Sequence, residues 1–401
     1  MIGLSKQFAS LAVLLMLFFC ETAPLHAADV LKPVLIGLDG EFGHASSTSA
    51  EAIRQGIQIA IDEINQAGGV LHGRPLRLIE KANSSLPSRS ANNIKEFAAT
   101  PDLVAVYCGR FSPTVLETLP LIHQLQIPLL DPWAAADGIV DNRYSPNYVF
   151  RLSLKDTWAA NVMLAHLNQR KLKRVGLLML NTSWGRSTKK AAEDYIARKP
   201  GIAIVGTQWI NWDDKDDSML AKVQNLKIAG AQAILLTANA EEASRLAKVM
   251  LTLPESERLP IVSHWGVTGG NLPGLVGEAF YKLDFRVVQT YSFIGQKSQV
   301  AVKVISAHNK MTGGNNARAI ASPVGVAHAY DLTHILAKAI NLAGSADRKA
   351  VRDALEKLPS HAGLIRKYAP PFTVKRHEAL SEDDVFMAEF SPLDGALERT
   401  P

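Results

Sequence analysis

The stretch Ile59–Leu78, IAIDEINQAGGVLHGRPLRL, joins the end of an amphipathic helix to a double glycine, a tight turn and a strand. Thr48 and Glu51 are typical of a capping box at the helix start. Gly68-Gly69 can supply the left-handed backbone that ends the helix, and Gly73-Arg74-Pro75 then turns the chain into a strand. One apolar stripe at helical spacing runs through the helix: isoleucines 53, 57, 61 and 64. The stretch therefore predicts a helix followed by a strand.

The rest of the chain alternates between apolar strands and amphipathic helices. In the first half we predict strands at 34–38, 103–108 and 127–130 and helices at 91–99 and 114–124. In the second half we predict strands at 175–180, 202–205, 233–237 and 261–263 and helices at 158–169, 188–198, 219–228 and 241–250. The chain then returns through 287–291 to helices at 300–311, 326–342 and 348–358 and a strand at 385–390. Such alternation predicts an α/β fold with parallel sheets and helices on both faces.

The helix stripe, the Gly-Gly stop, the Gly-Arg-Pro turn and the strand, in this order, resemble the first βαβ unit of type I periplasmic binding proteins. Within that family they are most similar to the branched-chain amino-acid receptors of ABC importers; the alternative is an ordinary βαβ unit. The resemblance implies two doubly wound parallel-sheet domains joined by a three-strand hinge. It places the N-terminal lobe at 28–150 and 291–380, the C-terminal lobe at 151–290 and 381–401, and the hinge strands near 150–152, 289–291 and 379–384.

The first residues are typical of a secretory signal peptide. Lys6 precedes an apolar run at 11–20, and the small residues Ala27 and Ala28 follow. The run is too short for a membrane span, so we predict cleavage near residue 27 and a protein located in the periplasm. Cys20 raises the alternative of a lipid anchor, but the bulky Phe19 before it argues against lipoprotein processing.

Composition and motifs exclude several functions. The 401 residues carry a net charge of +5, and 47% of them are hydrophobic. The basic clusters, at 171–174, 366–367 and 375–376, are short and contain no aromatic residues, so we expect no nucleic-acid partner. The sequence contains no GxSxG, GxxxxGK[ST] or GxGxxG motif, and its eleven histidines are spread singly. We therefore predict a monomeric binding protein without cofactor, metal or catalytic residues.

In open parallel sheets, ligands bind beyond the carboxyl ends of the strands. Six segments meet this criterion, and in a two-lobed receptor they line the cleft: 39–47, 109–114, 131–137, 181–185, 237–241 and 263–268. The resemblance implies that Ser112, after a strand end, binds a ligand carboxylate with help from the following helix N-terminus.

The resemblance also marks where this chain departs from the family pattern. Where the family has a Ser-Pro-x-Ala-Thr run, this chain has DPWAA at 131–135. Ala134 can still offer its backbone to a ligand, but Ala135 lacks the hydroxyl of the family's threonine. Trp184, which precedes Gly185, lies where family members commonly have a tyrosine before a glycine. Trp265 lies where a carboxylate binds the ligand ammonium group of amino-acid receptors. These departures argue against a plain aliphatic amino acid as the ligand.

Trp133, Trp184 and Trp265 thus follow three different strand ends. They line the cleft or, alternatively, pack in the core of each lobe. Tryptophan faces bind flat rings and cations, while Asp131 and Glu41 would balance a cation and Arg110 an anion. We predict the receptor of an ABC importer that closes on an amino acid or amino-acid-like solute with a flat or cationic group, together with a membrane permease. The alternatives are a ligand sensor for a membrane kinase and an exported enzyme.

Overall fold

Strands and helices alternate through both halves of the chain in the computed structural model, which describes residues 31–43 and 47–400. The predicted signal peptide and Cys20 lie outside these residues. Within them, every helix is too short or too polar to cross a bilayer. The doubly wound α/β fold predicted from the sequence is confirmed.

The first lobe is built on a five-stranded sheet in which every pairing is parallel, with strand order β2-β1-β3-β4-β5. Its elements are β1 (Val34–Gly40), α1 (Ser49–Gln66), β2 (Leu76–Ala82), α2 (Pro87–Ala99), β3 (Leu103–Cys108), α3 (Ser112–Gln124), β4 (Leu129–Asp131) and β5 (Val149–Arg151). The strands β3, β4 and β5 are buried along their whole length, as expected for parallel strands covered on both faces.

The second lobe begins with α4 (Asp156–Gln169), β6 (Arg174–Leu180), α5 (Ser183–Arg198), β7 (Ala203–Ile210), α6 (Asp216–Ile228), β8 (Ala233–Thr237), α7 (Ala240–Thr252), β9 (Ile261–Ser263), α8 (Leu272–Val276) and β10 (Phe285–Gln289). Its strands join a seven-stranded sheet that also receives the two last strands of the chain.

The chain then returns to the first lobe. This part comprises α9 (Gln299–Thr312), α10 (Pro323–Ala343), α11 (Arg348–Leu355), β11 (His361–Ala362) and β12 (Lys367–Tyr368), and the chain finishes with β13 (Phe386–Phe390) and β14 (Leu397–Arg399) in the second lobe. Helix α10 packs along α1. At their closest approach a Cβ atom on Gly56 would lie 2.2 Å from the carbonyl oxygen of Val326, so this crossing requires glycine.

The sequence predicted wholly parallel sheets, and this is wrong at one edge of the second sheet. Strand β13 pairs antiparallel with β10, and β14 pairs antiparallel with β13. The reason is the path of the chain. It enters the second lobe for the last time without a crossover helix, and a tight turn at Gly395, with φ of 74°, then leads directly into the neighbouring strand.

The predicted capping box at the start of α1 is wrong. Thr48 has helical backbone angles and its side chain caps no amide of α1, while the Glu51 side chain accepts a hydrogen bond from Arg54. The Thr48 hydroxyl instead lies 2.5 Å from the Ser322 hydroxyl. The cap residue is thus used in a contact with the return segment. The predicted stop of α1 is present, because Gly68 and Gly69 have φ of 104° and 73°.

Three connections link the lobes, after β5, after β10 and between β12 and β13. The first and third run side by side, where Arg151 pairs with Glu378. Their side chains form a buried two-bond ion pair, with Nε to Oε2 at 2.9 Å and Nη2 to Oε1 at 2.6 Å. Bidentate pairs of this kind fix geometry as well as charge.

Candidate functional site

A small cavity lies at the boundary between the lobes, where three tryptophans converge. It is lined by Arg110, Phe111, Ser112, Trp133, Ala135, Trp184, Asn239, Trp265 and Gly266. The structure thus brings together Arg110, Ser112, Trp133, Ala135, Trp184 and Trp265 of the residues predicted from the sequence. The cavity leaves only about 10 Å³ for the centre of a water molecule, which is room for about one water.

The tryptophan rings belong to both lobes and are almost fully buried. Trp133 and Trp265 meet with ring centroids 5.5 Å apart and planes inclined at 42°. Glycines make room for the rings. A Cβ atom on Gly325 would lie 2.8 Å from Trp133, and one on Gly266 would lie 2.4 Å from Trp184. The close packing of these rings therefore depends on residues distant in the sequence.

A buried Asp–His pair supports the two tryptophans of the second lobe. Trp184 Nε1 donates to Asp156 Oδ1 at 3.1 Å. His264 Nε2 lies 2.9 Å from the same oxygen, without hydrogen-bond alignment, while His264 Nδ1 accepts from the Trp265 amide at 2.9 Å. The Asp156 amide in turn donates to the Ala135 carbonyl. Asp156 therefore ties the tryptophans to the segment that lines the opposite side of the cavity.

Ser112 organises that opposite segment. Its Oγ accepts hydrogen bonds from the amides of Ala135 and Ala136 at 3.1 and 3.2 Å. Both lone pairs of the hydroxyl are used, so the proton that remains can be donated to an acceptor in the cavity. Ala134 lies outside the cavity lining: its side chain packs in the core and its carbonyl accepts from Arg151 Nη1.

Arg110 carries the positive charge of the site. Its Nη1 donates to the Gly269 carbonyl of the second lobe at 3.1 Å, and within the described part of the chain its buried Nε finds no hydrogen-bond partner. Among residues 31–43 and 47–400, no carboxylate lies within ion-pair distance of this guanidinium. Burial lowers the pKa of Arg110, and the nearby charges of Glu41, Glu242 and Glu241 oppose that effect. A guanidinium in this setting favours an added hydrogen-bond acceptor.

Glu41 and Asp131 do not reach the cavity. Glu41 accepts from the amides of Arg110 and Phe111, both at 3.1 Å, and thereby holds the loop after β3. Asp131 accepts from the Trp133 amide at 3.0 Å through Oδ1, and its carboxylate lies beside the Cys108 thiol. Burial raises the pKa of Glu41, and it raises that of Asp131 to about 7. Both carboxylates support the loops that line the cavity.

A larger chamber adjoins the cavity and shares Arg110, Phe111 and Asn239 with it, and only part of its lining belongs to the segments predicted from the sequence. This outer chamber encloses about 310 Å³ and is lined by Ser84, Ser85, Leu86, Arg110, Phe111, Trp212, Asn239, Ala240, Glu241 and Glu242. Ser84–Leu86 and Trp212 follow the carboxyl ends of β2 and β7, so the strand-end rule would have found them if it had been applied to these two strands. Phe111 and Trp212 touch across the lobes with centroids 5.9 Å apart.

Further contacts hold the lobes together around the site. The Thr48 amide donates to the Gly269 carbonyl at 2.9 Å, and the Ser322 hydroxyl donates to the Thr268 carbonyl at 2.7 Å. On the other side, the Asp137 amide donates to the Ser187 hydroxyl at 3.2 Å. The structure therefore represents a closed arrangement of the two lobes.

The comparison with known families identifies this architecture. The family profile described as periplasmic binding protein matches residues 33–389. The chain belongs to the periplasmic binding protein family. The resemblance inferred from the first βαβ unit is thereby confirmed, and the family is one of binding proteins rather than enzymes. A search of curated proteins finds no match.

Solved structures show the same fold at low sequence identity. A type 1 periplasmic binding protein from Bordetella pertussis Tohama I is 22% identical, with a TM-score of 0.81 over 92% of this chain and 100% of the other. LivJ from Streptococcus pneumoniae, a branched-chain amino acid transporter substrate binding protein in complex with isoleucine, is 19% identical, with a TM-score of 0.75 over 92% and 98%. A solute binding protein of an ABC transporter from R. palustris, in complex with 4-hydroxybenzoate, is 16% identical, with a TM-score of 0.75 over 92% and 96%.

Proposed function

We propose that this protein is the periplasmic receptor of an ABC importer, which binds one small solute between its lobes and presents the closed form to a membrane permease. The observation that carries the proposal is the convergence of Arg110, Ser112 and three tryptophans from both lobes on one cavity. A ligand that contacts both lobes stabilises the closed arrangement relative to an open one. In this proposal the three connections between the lobes act as the hinge.

The chemistry of the lining favours a solute with a flat or cationic group and at least one acceptor. Tryptophan faces bind flat rings, and they also bind cations, with a gain of about 0.5–2 kcal/mol for each well-placed cation. Arg110 and the Ser112 hydroxyl can donate hydrogen bonds to an acceptor on the solute. The neighbours in complex with isoleucine and with 4-hydroxybenzoate support the view that this fold accommodates both amino acids and aromatic acids. With Trp265 in place of a carboxylate, we expect leucine, isoleucine and valine to bind weakly.

A thermal-shift panel tests the proposal. Amino acids, amides, polyamines and aromatic acids are added to the purified protein, and a true solute raises the melting temperature because it binds only the folded state. For the best solute, uptake by cells with and without the gene then distinguishes import from sensing. We expect a saturable shift and loss of uptake in the deletion strain. A protein that no small solute stabilises would contradict the proposal.

A further inference from the structure

We propose that Arg318 of the first lobe and Asp394 and Glu398 of the second lobe form a latch, which sets the affinity for every solute without touching the solute. The inference rests on the proposed receptor function and adds to it a determinant of affinity outside the binding site. Arg318 is a positioning residue in this account, because it acts on the solute only through closure of the lobes.

The latch lies beside a pocket that is separate from the cavity and the outer chamber. This side pocket encloses about 270 Å³ between the two lobes. Its first-lobe wall includes Thr48 and the segment 318–323, and its second-lobe wall includes Thr268 and the segment 394–397. The described residues that line the cavity and the outer chamber are all different from these. A change at the latch therefore leaves the lining of the binding site intact.

Arg318 binds two carboxylates of the other lobe. Its Nε and Nη2 donate to the Asp394 carboxylate at 2.5 and 2.7 Å, and its Nη1 donates to Glu398 Oε1 at 2.5 Å. One guanidinium thus makes three charged hydrogen bonds across the lobe boundary, and its planar fork gives these bonds a fixed direction. The hydrogen bonds from Arg318 lower the pKa of Asp394, so this carboxylate is charged at neutral pH.

Separation of the lobes would leave acidic groups of the second lobe without this cation. Glu398 on β14 lies directly opposite Glu389 on β13, and like charges in that position repel each other. Glu389 has a partner within its own lobe, Arg286, at 2.6 Å, whereas Arg318 reaches Glu398 and Asp394 from the first lobe. The closed arrangement therefore gains an electrostatic contribution that an open one lacks.

A strained residue close to Arg318 supports the same role. Ser322 has φ of 51° and ψ of 55°, a left-handed conformation that residues other than glycine rarely adopt. Its hydroxyl donates to the Thr268 carbonyl of the second lobe at 2.7 Å and lies 2.5 Å from the Thr48 hydroxyl. Strained backbone persists where surrounding contacts hold it, and it is frequent at ligand clamps and switches. Here the contact that holds it crosses the lobe boundary.

Calorimetry with two solutes tests the latch. Arg318→Gln is titrated with two chemically different solutes chosen from the thermal-shift panel. Apparent affinity scales with the fraction of protein that is closed, so when the free protein is mostly open we expect both solutes to bind about fivefold more weakly, by the same factor. Arg170→Gln is the matched control, because it breaks a similarly exposed two-bond pair with Asp284 within the second lobe. It should leave both affinities unchanged.

Small-angle X-ray scattering of the solute-free protein completes the test. When the free protein is mostly closed, loss of the latch shifts it towards the open form, and we expect the radius of gyration of Arg318→Gln to exceed that of wild type. Arg170→Gln should match wild type. Unchanged affinity together with an unchanged radius of gyration would overturn the inference, while the receptor function would stand.

Removal of the partners tests whether Arg318 acts through them. The double variant Asp394→Asn, Glu398→Gln keeps polar side chains at both positions but removes both charges. Addition of these two changes to Arg318→Gln should weaken binding no further, because the carboxylates act on closure only through the guanidinium. A further loss that is additive would overturn the inference.

The remaining outcomes separate the latch from the receptor function. A loss confined to one solute would show that Arg318 discriminates between solutes and would overturn the latch. An equal loss in Arg170→Gln would show a general effect of charge and would also overturn it. In both cases the receptor function would stand, whereas a panel without any stabilising solute would overturn both.

Discussion

The indole rings of Trp133 and Trp265 touch across the boundary between the two lobes, with centroids 5.5 Å apart. Each of the two residues is 1% exposed in this arrangement. Opening of the lobes would separate the rings and expose both of them to water. The hypothesis that tryptophan faces enclose a flat solute needs refinement, because in the closed structure these two faces contact each other.

The tryptophan contacts predict a fluorescence response. Because ligand binding changes the surroundings of the buried indoles, we expect the ligand-dependent change in emission to fall sharply in Trp184→Phe and Trp265→Phe. Trp209→Phe is the control, since that ring lies on β7 beneath Arg186, outside the cavity. Equal responses in all three variants would place the ligand elsewhere.

Ser112→Ala should affect both stability and binding. The substitution removes the acceptor of two buried amides, which costs about 1–3 kcal/mol for each group left unsatisfied. It also removes the donor to the cavity, so we expect binding to weaken by about 0.5–1.5 kcal/mol. Denaturation and calorimetry measure the two effects. Thr118→Val is the control: this buried hydroxyl of the same helix donates to carbonyl groups of α3, and its loss should leave affinity unchanged. If Ser112→Ala binds as tightly as wild type, Ser112 does not belong to the site.

Removal of one partner of the Arg151–Glu378 pair should strongly destabilise the fold. Glu378→Gln leaves a fully buried guanidinium without its counterion, and such losses typically cost about 3–5 kcal/mol. The melting temperature should therefore fall by several degrees. Asp194→Asn, which breaks the exposed pair with Lys190, should change it little. A similar small change in both variants would show that the buried pair is dispensable.

Asp131 predicts a pH dependence with a defined sign. Its pKa is raised from 3.8 to about 7, mainly by burial, so between about pH 4 and 7 the folded state binds a proton that the unfolded state has lost. The contribution of this group to the free energy of unfolding therefore falls as pH rises through that window, by about 1.4 kcal/mol per unit of pKa difference. Above the window the contribution is constant. The difference in unfolding free energy between wild type and Asp131→Asn should change across this range; a constant difference would contradict the assigned pKa.

The periodic parts of the fold could be predicted from the sequence. The apolar run at Leu103–Cys108 and the strand at Ala233–Thr237 agree with the prediction to the residue, because buried parallel strands are apolar throughout. The Gly68-Gly69 stop was also predictable, since few other residues adopt that backbone. These features depend on local geometry, which a single sequence records.

Features decided by distant partners could not be predicted. Thr48 has the sequence of a helix cap but contacts Ser322, more than 250 positions away. The antiparallel edge formed by β13 depends on where the chain re-enters the second lobe. Within the site, the strand-end rule brought the tryptophans to one boundary, yet it could not show that Glu41 and Asp131 turn away to hold backbone amides. Such choices depend on packing between lobes, which periodicity does not encode.

Calorimetric titration of the best solute tests the central claim most directly. If one solute binds between the lobes at the residues described, wild-type protein should bind it with a stoichiometry of one. Trp265→Ala should bind at least about tenfold more weakly, because a buried aromatic wall is lost, while Trp209→Ala should bind as tightly as wild type. Equal affinity of the Trp265→Ala and Trp209→Ala variants would contradict the account.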